Sequence, residues 1–225
     1  MPHVIVFDVN ETLLDLAALD PAFERVFGDA AVRRAWFAEM LQTAFVLTVT
    51  GVYHDFGRIA RAALDTVAHR RGVALSGADR DAILGGVRRL PPHPDAAPAL
   101  GRLRDGGLRL AALTNSAPET AVAQLAHAGL DGYFEQILSV DAARRLKPAP
   151  EVYRMAADRL RVQPGDLRLV AAHDWDVTGA LRAGWAAAFV ARGGAEVGAL
   201  YERPDLVGPD LESVAEAILR AEGVA

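Results

Sequence analysis

The 225-residue chain contains no cysteine, which excludes disulfide staples, thiolate metal sites and thiol nucleophiles and leaves the redox compartment open. It has no long apolar run. Its Ala- and Leu-rich stretches are each broken by Arg, Asp, Glu or Gly before a membrane-spanning length accumulates, so no segment reads as a transmembrane helix. Positive charge is not in excess: 24 Lys and Arg stand against 29 Asp and Glu, a formal net charge of −5. Neither nucleic acid nor an anionic membrane is favoured as a partner by such a balance. The first apolar run starts at His3, which leaves no room for the charged and apolar regions of a secretory leader, so a cytoplasmic location is the expectation. No internal repeat is present.

A hydrophobic fraction of 52% with 24% charged residues is ordinary for a globular protein, and the length suffices for a substantial core plus a smaller inserted unit. The run His3-Val4-Ile5-Val6-Phe7 is short, apolar and β-branched, as a strand buried on both faces of a parallel sheet should be. Comparable runs recur at Leu108 to Leu113, Gln136 to Val140, Leu167 to Ala172 and Ala186 to Val190. Helical patterns separate them. This alternation predicts an α/β fold: a doubly wound, Rossmann-like parallel sheet with its site at the carboxyl ends of the strands. Between the first and second strands lie about ninety residues, too many for a crossover loop, and they read mostly as helix. Arg33 to Leu47 and Arg58 to Arg71 show apolar positions at helical intervals, and Ser76 with Asp79 reads as the start of a third helix. Pro91-Pro92-His93-Pro94 marks the return. The expectation is a core of residues 1–14 and 92–225 and an inserted helical cap of residues 15–91.

The sharpest local signal is Phe7-Asp8-Val9-Asn10-Glu11-Thr12-Leu13-Leu14-Asp15, where a carboxylate stands at the point at which a buried strand opens into a loop. Such a group is shielded yet reachable, and can act as a covalent nucleophile if a cation and hydrogen-bond donors hold it. Taken alone, it could equally be a turn-forming Asp. Three further segments follow predicted strands in order: Thr114-Asn115-Ser116, Lys147-Pro148 and His173-Asp174-Trp175-Asp176. Together these resemble the haloacid dehalogenase superfamily, whose motifs are a strand-end Asp, a Ser or Thr, a Lys and an acidic fourth motif. The resemblance spans essentially the whole chain.

Two departures separate the chain from the phosphatases of that superfamily. Their second Asp, a general acid, is replaced by Asn10, and an amide cannot donate a proton as an acid does. In the register set by Asp176 and Gly179-Ala180, the position of their metal-binding Asp is Ala172, although Asp174 could restore a ligand. Two extended matches point instead to the metal-free 2-haloacid dehalogenases. Lys147-Pro148-Ala149-Pro150-Glu151-Val152-Tyr153 is similar to their Lys-Pro-x-x-x-x-Tyr pattern, and Trp175-Asp176-Val177-Thr178-Gly179-Ala180 to their Trp-Asp-x-x-Gly-Ala segment. No metal and no cofactor are expected.

The resemblance implies catalytic roles for Asp8, Lys147, Asp176 and Thr114. Asp8 attacks the halogen-bearing C2 of a small anionic 2-haloacid, in the manner of an (S)-2-haloacid dehalogenase, and water cleaves the resulting ester. Lys147 holds the Asp8 carboxylate, Thr114 and Asn115 bind the substrate carboxylate, Asp176 positions the water, and Tyr153 pairs with the Lys147 and Asp8 network. Asn10, Phe37, Phe56, His173 and Trp175 complete the expected substrate site. The family carries a cap Arg directly after a Trp to receive the halide, but here Phe37 follows Trp36; it usually has Tyr at Asn10 and Asn at His173. His173 is therefore expected to take over part of the missing Arg's role. Arg144 or Arg145 could also reach an anionic substrate. A homodimer is implied by the same resemblance. The rival readings are a Mg²⁺-dependent phosphatase on a small phosphoester, and a protein that kept the fold with little catalysis.

Overall fold

The computed structural model describes residues 4–224, so His3 lies outside the described residues. Strand β1 (Val4–Phe7) is buried at every position and occupies the middle of the sheet. A strand covered on both faces has no use for polar alternation, which is why this one reads as an unbroken apolar run. The other strands are β2 (Arg109–Thr114), β3 (Gln136–Ser139), β4 (Leu167–Ala171), β5 (Ala186–Val190) and β6 (Leu206–Gly208). All neighbours pair in parallel, in the order β3-β2-β1-β4-β5-β6. Order reverses between β1 and β4, and at such a switch point the loops leaving the two strands diverge and open a crevice.

Four α-helices lie between Asp15 and Pro91: α1 (Asp20–Phe27), α2 (Val32–Thr50), α3 (Phe56–Arg70) and α4 (Gly77–Gly86). Trp36 on α2 ties two of them together, its indole N–H donating to Ala60 O on α3 at 2.9 Å and its ring packing 5.4 Å from that of Phe23 on α1. Helix α2 runs past the expected Leu47 to Thr50, where Gly51 at φ 74° supplies the left-handed cap. Helix α3 starts at Phe56 because the Asp55 side chain caps the Arg58 N–H. Ser76 and Asp79 form the reciprocal capping box that their spacing suggests. The chain leaves and re-enters the sheet side by side: Asp15 N donates to Pro91 O at 2.9 Å and His93 N to Leu13 O at 2.8 Å.

After the sheet is rejoined, α5 (Ala96–Asp105), α6 (Pro118–His127), α7 (Pro150–Leu160), α8 (Asp174–Arg182) and α9 (Leu211–Glu222) connect or cover the strands. One buried charge anchors the far end of the sheet. Arg168 on β4 is paired with Glu222 of α9 at 3.0 Å and with Asp205 before β6 at 2.7 Å. Among the described residues, no helix is long and apolar enough to cross a membrane.

Candidate active site

Asp8 directly follows β1, and its N–H donates to Val170 O on β4 at 3.0 Å, so sheet pairing continues one residue past the strand. Thr114 ends β2, one residue later than its apolar run suggests, and His173 precedes α8 after β4. Parallel neighbours bring these three chain ends to one edge of the sheet. Lys147 arrives from the segment between β3 and α7, and its ammonium is completely buried. A buried ammonium needs opposite charge close by. It has two carboxylates: Asp8 Oδ1 at 3.1 Å and Asp176 Oδ2 at 2.7 Å.

The second Asp8 oxygen is held from the other side. Thr12 Oγ1 donates to Asp8 Oδ2 at 2.8 Å while accepting the Ala172 N–H at 2.9 Å, which fixes the hydroxyl's direction. His173 Nδ1 lies 3.2 Å from the same oxygen, and its Nε2 lies 3.1 Å from Glu11 Oε2. Burial by itself would raise the Asp8 carboxyl, but the Lys147 charge, His173 and the Thr12 hydroxyl outweigh it and hold Asp8 well below the usual carboxylate range. His173 is likewise opposed by burial, yet its bonds to Asp8 and Glu11 push it up to about 10, so the ring is an imidazolium at neutral pH. Burial also lowers Lys147, and Asp176 and Asp8 more than compensate, keeping its ammonium above its ordinary value.

Asp8 opens onto a small chamber of about 20 Å³. Thr114, Asn115 and Asn10 form its sheet side, Phe37, Leu41 and Phe56 the helical side, and His173 and Trp175 the wall between. Asn115 Oδ1 accepts the Lys147 N–H at 3.0 Å, so its NH₂ donors are the part that can serve a ligand. Three aromatic rings follow one another: His173 stacks 5.1 Å from Trp175 and lies tilted 5.8 Å from Phe37. Phe37, Phe56 and Asn10 also border a larger, mainly apolar cavity of about 220 Å³ toward Trp36, Met40 and Val87. Asn10 itself is held by Ser116 at 3.3 Å and Gln124 at 3.0 Å.

Several expected roles change. Asp176 has no exposure and does not border the chamber, and its two oxygens accept from Lys147 and from the Tyr153 hydroxyl at 2.6 Å. Tyr153 is equally buried and bonds to Asp176 within the Lys147 and Asp8 network, and it does not border the chamber as a substrate-binding residue would. His173 does not offer a free N–H to a departing halide, since carboxylates engage both ring nitrogens. Asp174 accepts the Gly198 N–H at 3.1 Å and does not border the chamber. Arg145 donates to Gly51 O at 3.2 Å and Arg144 lies over the Tyr53 ring, so neither borders the chamber. Among the described residues, no group of three or more His, Asp or Glu side chains is arranged to hold a metal ion.

Thr12 and Glu11 were not anticipated. Thr12 stands four residues after Asp8 in a tight turn, where Leu13 N and Leu14 N both donate to Val9 O; a hydroxyl in a buried turn beside a carboxylate is the signal that could have marked it. Glu11 adopts φ 62°, the left-handed region rare for a side chain of its kind. No sequence pattern announces that.

A family model described as haloacid dehalogenase-like hydrolase matches residues 2–184. An (S)-2-haloacid dehalogenase of Xanthobacter autotrophicus is 32% identical over 194 residues, which cover 85% of this chain and 76% of that protein. A haloacetate dehalogenase of Moraxella sp. (strain B) is 27% identical over 218 residues, 96% of this chain and 97% of that one. The fold also matches the solved L-2-haloacid dehalogenase from Xanthobacter autotrophicus with chloropropionic acid covalently bound, at a TM-score of 0.90 and 28% identity over 97% of this chain and 98% of that chain. With the motifs, the sheet order and these relatives in agreement, the chain belongs to the haloacid dehalogenase-like hydrolase family, in its 2-haloacid dehalogenase branch.

Proposed function

We propose that this chain hydrolyses the carbon–halide bond of a small (S)-2-haloacid through a covalent ester on Asp8, with Lys147 in place of a divalent cation as the principal counter-charge. The observation that carries this reading is the burial of the Lys147 ammonium 3.1 Å from Asp8 Oδ1. A carboxylate held far below its usual pKa stays ionised at any working pH and is a ready nucleophile, with no general base needed for the first step. Its oxygen attacks C2 opposite the halide, the halide departs, and C2 inverts. Water then adds to the Asp8 carboxyl carbon and releases the 2-hydroxy acid. Thr114 and the Asn115 NH₂ receive the substrate carboxylate, and Asn10, Phe37, Phe56 and Trp175 enclose its carbon atoms. The solved relative with chloropropionic acid covalently bound supports an ester of this type.

On this reading residues 15–91 form the cap and residues 1–14 and 92–225 the core, with the chamber between them. A cytoplasmic homodimer belongs to the same proposal. Val46 and Val49 near the end of α2, with Val52 just beyond it, stand exposed and offer an apolar surface for a second copy; light scattering at twice the chain mass tests the dimer. The activity is tested by chloride release from (S)-2-chloropropionate. Release by the wild type, unaffected by chelator and abolished in Asp8→Asn, is the expected result. Release that requires added Mg²⁺, or that persists in Asp8→Asn, overturns the reading.

A further inference from the structure

If the ester forms on Asp8, a base must still activate the water that breaks it. Asp176, the expected candidate, is sealed behind Lys147 with both oxygens occupied. Neither Thr114 nor Asn115 is a base near neutral pH. The remaining titratable group on the chamber wall is His173, and its geometry is that of an oriented dyad. Nε2 faces Glu11 Oε2 at 3.1 Å and Nδ1 faces Asp8 Oδ2 at 3.2 Å. A carboxylate on one ring nitrogen fixes which nitrogen keeps its proton and points the other at the reacting atoms.

Glu11 is itself held firmly for this purpose. Its backbone sits at φ 62°, a conformation that persists only where the surroundings enforce it. Its N–H donates to Leu14 O at 2.8 Å, its carbonyl lies 3.2 Å from His93 Nε2, and Arg33 of α2 reaches its carboxylate at 3.6 Å. The charged groups around the imidazole are thus Asp8 after β1, Glu11 in the following loop, and Arg33 beyond Glu11. Phe37 on α2 and Trp175 on α8 flank the ring with uncharged faces. Lys147 and Asp176 lie on the opposite side of Asp8.

Resting on the proposed covalent mechanism, we infer that His173, held by Glu11, is the general base of ester hydrolysis and is switched into that role by the loss of the Asp8 charge. In the resting enzyme two carboxylates hold the ring as an imidazolium. Alkylation converts Asp8 into a neutral ester, so one of the two anions disappears and the Nδ1 proton leaves to solvent, while Glu11 retains the Nε2–H. The freed Nδ1 takes a proton from water as its oxygen bonds to the Asp8 carboxyl carbon. Collapse breaks the bond from that carbon to the substrate oxygen, and the proton on Nδ1 passes to the departing alkoxide. The neutral Asp8 acid then returns its proton to Nδ1, restoring the ion pair. One water is consumed, and one halide, one proton and one 2-hydroxy acid are released.

The test is a single turnover of the full chain with (S)-2-chloropropionate, following chloride release and the ester adduct by intact-protein mass across pH 5 to 9. In the wild type, ester decay is expected to rise with pH through one ionisation and to show a normal solvent deuterium isotope effect. In His173→Asn, chloride is released once per chain and the ester then decays about 100-fold more slowly or worse, as expected for loss of a general base, with a flat pH profile. Glu11→Gln leaves the imidazole facing an amide and shifts the ionisation to lower pH. Decay at the wild-type rate and pH dependence in His173→Asn overturns the inference while leaving the Asp8 ester intact. So does a wild-type decay without pH dependence or isotope effect, or an unmoved ionisation in Glu11→Gln, both of which stand even if His173→Asn fails to fold. Absence of any wild-type adduct despite chloride release overturns the covalent reading and this inference with it.

Discussion

The Tyr153 hydroxyl donates to Asp176 Oδ1 at 2.6 Å, and both side chains are fully buried. Tyr153 rests against the backbone of Gly179 on α8, where an added methyl group would overlap the Tyr153 ring and hydroxyl and the Pro148 ring. The tyrosine thus locks Asp176, Asp176 locks Lys147, and Lys147 aligns Asp8. Gly179→Ala should push Tyr153 off Asp176, with halide release falling about 10- to 100-fold, the equivalent of losing a hydrogen bond to a charged group. Tyr153→Phe, which keeps the ring, should lose less thermal stability than Gly179→Ala in a melting experiment.

Removing the lysine side chain's charge isolates two carboxylates. Lys147→Met leaves Asp8 and Asp176 buried without their shared cation, and should destabilise the fold by about 3–5 kcal/mol. Adding Asp176→Leu to that variant removes one of the stranded charges. Urea unfolding should then recover part of the lost stability, while halide release stays absent in both.

Thr12→Val replaces the hydroxyl that donates to Asp8 Oδ2 and accepts the Ala172 N–H. The loss leaves a half-buried N–H without its acceptor and the nucleophile with one donor fewer, an effect of about 1–3 kcal/mol for the loss at the buried Asp8 and less at Ala172. Single-turnover chloride release should slow by about 10-fold or more, and the melting temperature should fall. Thr12→Ser, which retains the hydroxyl, should restore most of both.

The raised His173 pKa has a direct thermodynamic consequence. A ring that titrates near 10 when folded and at its ordinary value of 6.5 when unfolded binds its proton more tightly in the native state. Its stabilisation is fully present below about pH 6.5 and is lost as pH rises through about 10. Melting temperatures of the wild type should therefore decline across that window more steeply than those of His173→Asn. Parallel curves would contradict an imidazolium at this position.

How far these relationships were legible in the sequence depends on whether they are local. Asp8 is legible because four apolar residues end abruptly in a carboxylate, and Lys147 because a Lys-Pro step follows a buried strand. The fold follows from the same runs, and the helix start marked by the Ser76 cap falls where expected. Helix α1 carries only the weak signal of Pro21 after Asp20, and β6 is three residues long at the sheet edge, too short for a period to register. The Asp176 and Tyr153 roles rest on resemblance alone, and neither side chain borders the chamber, because each is buried against the other. The left-handed Glu11 and its bond to His173 depend on tertiary contacts with Leu14, His93 and Arg33, for which the chain offers no local cue.

The nucleophilic role of Asp8 is tested most directly by one turnover in ¹⁸O water, with mass spectrometry of the peptide that contains Asp8 and of the hydroxy acid released. Incorporation of one ¹⁸O into the Asp8 peptide, with unlabelled oxygen at C2 of the product, is the expected result. Label at C2 of the product and none in the peptide would mean that water attacks the substrate itself, and would contradict the covalent role of Asp8.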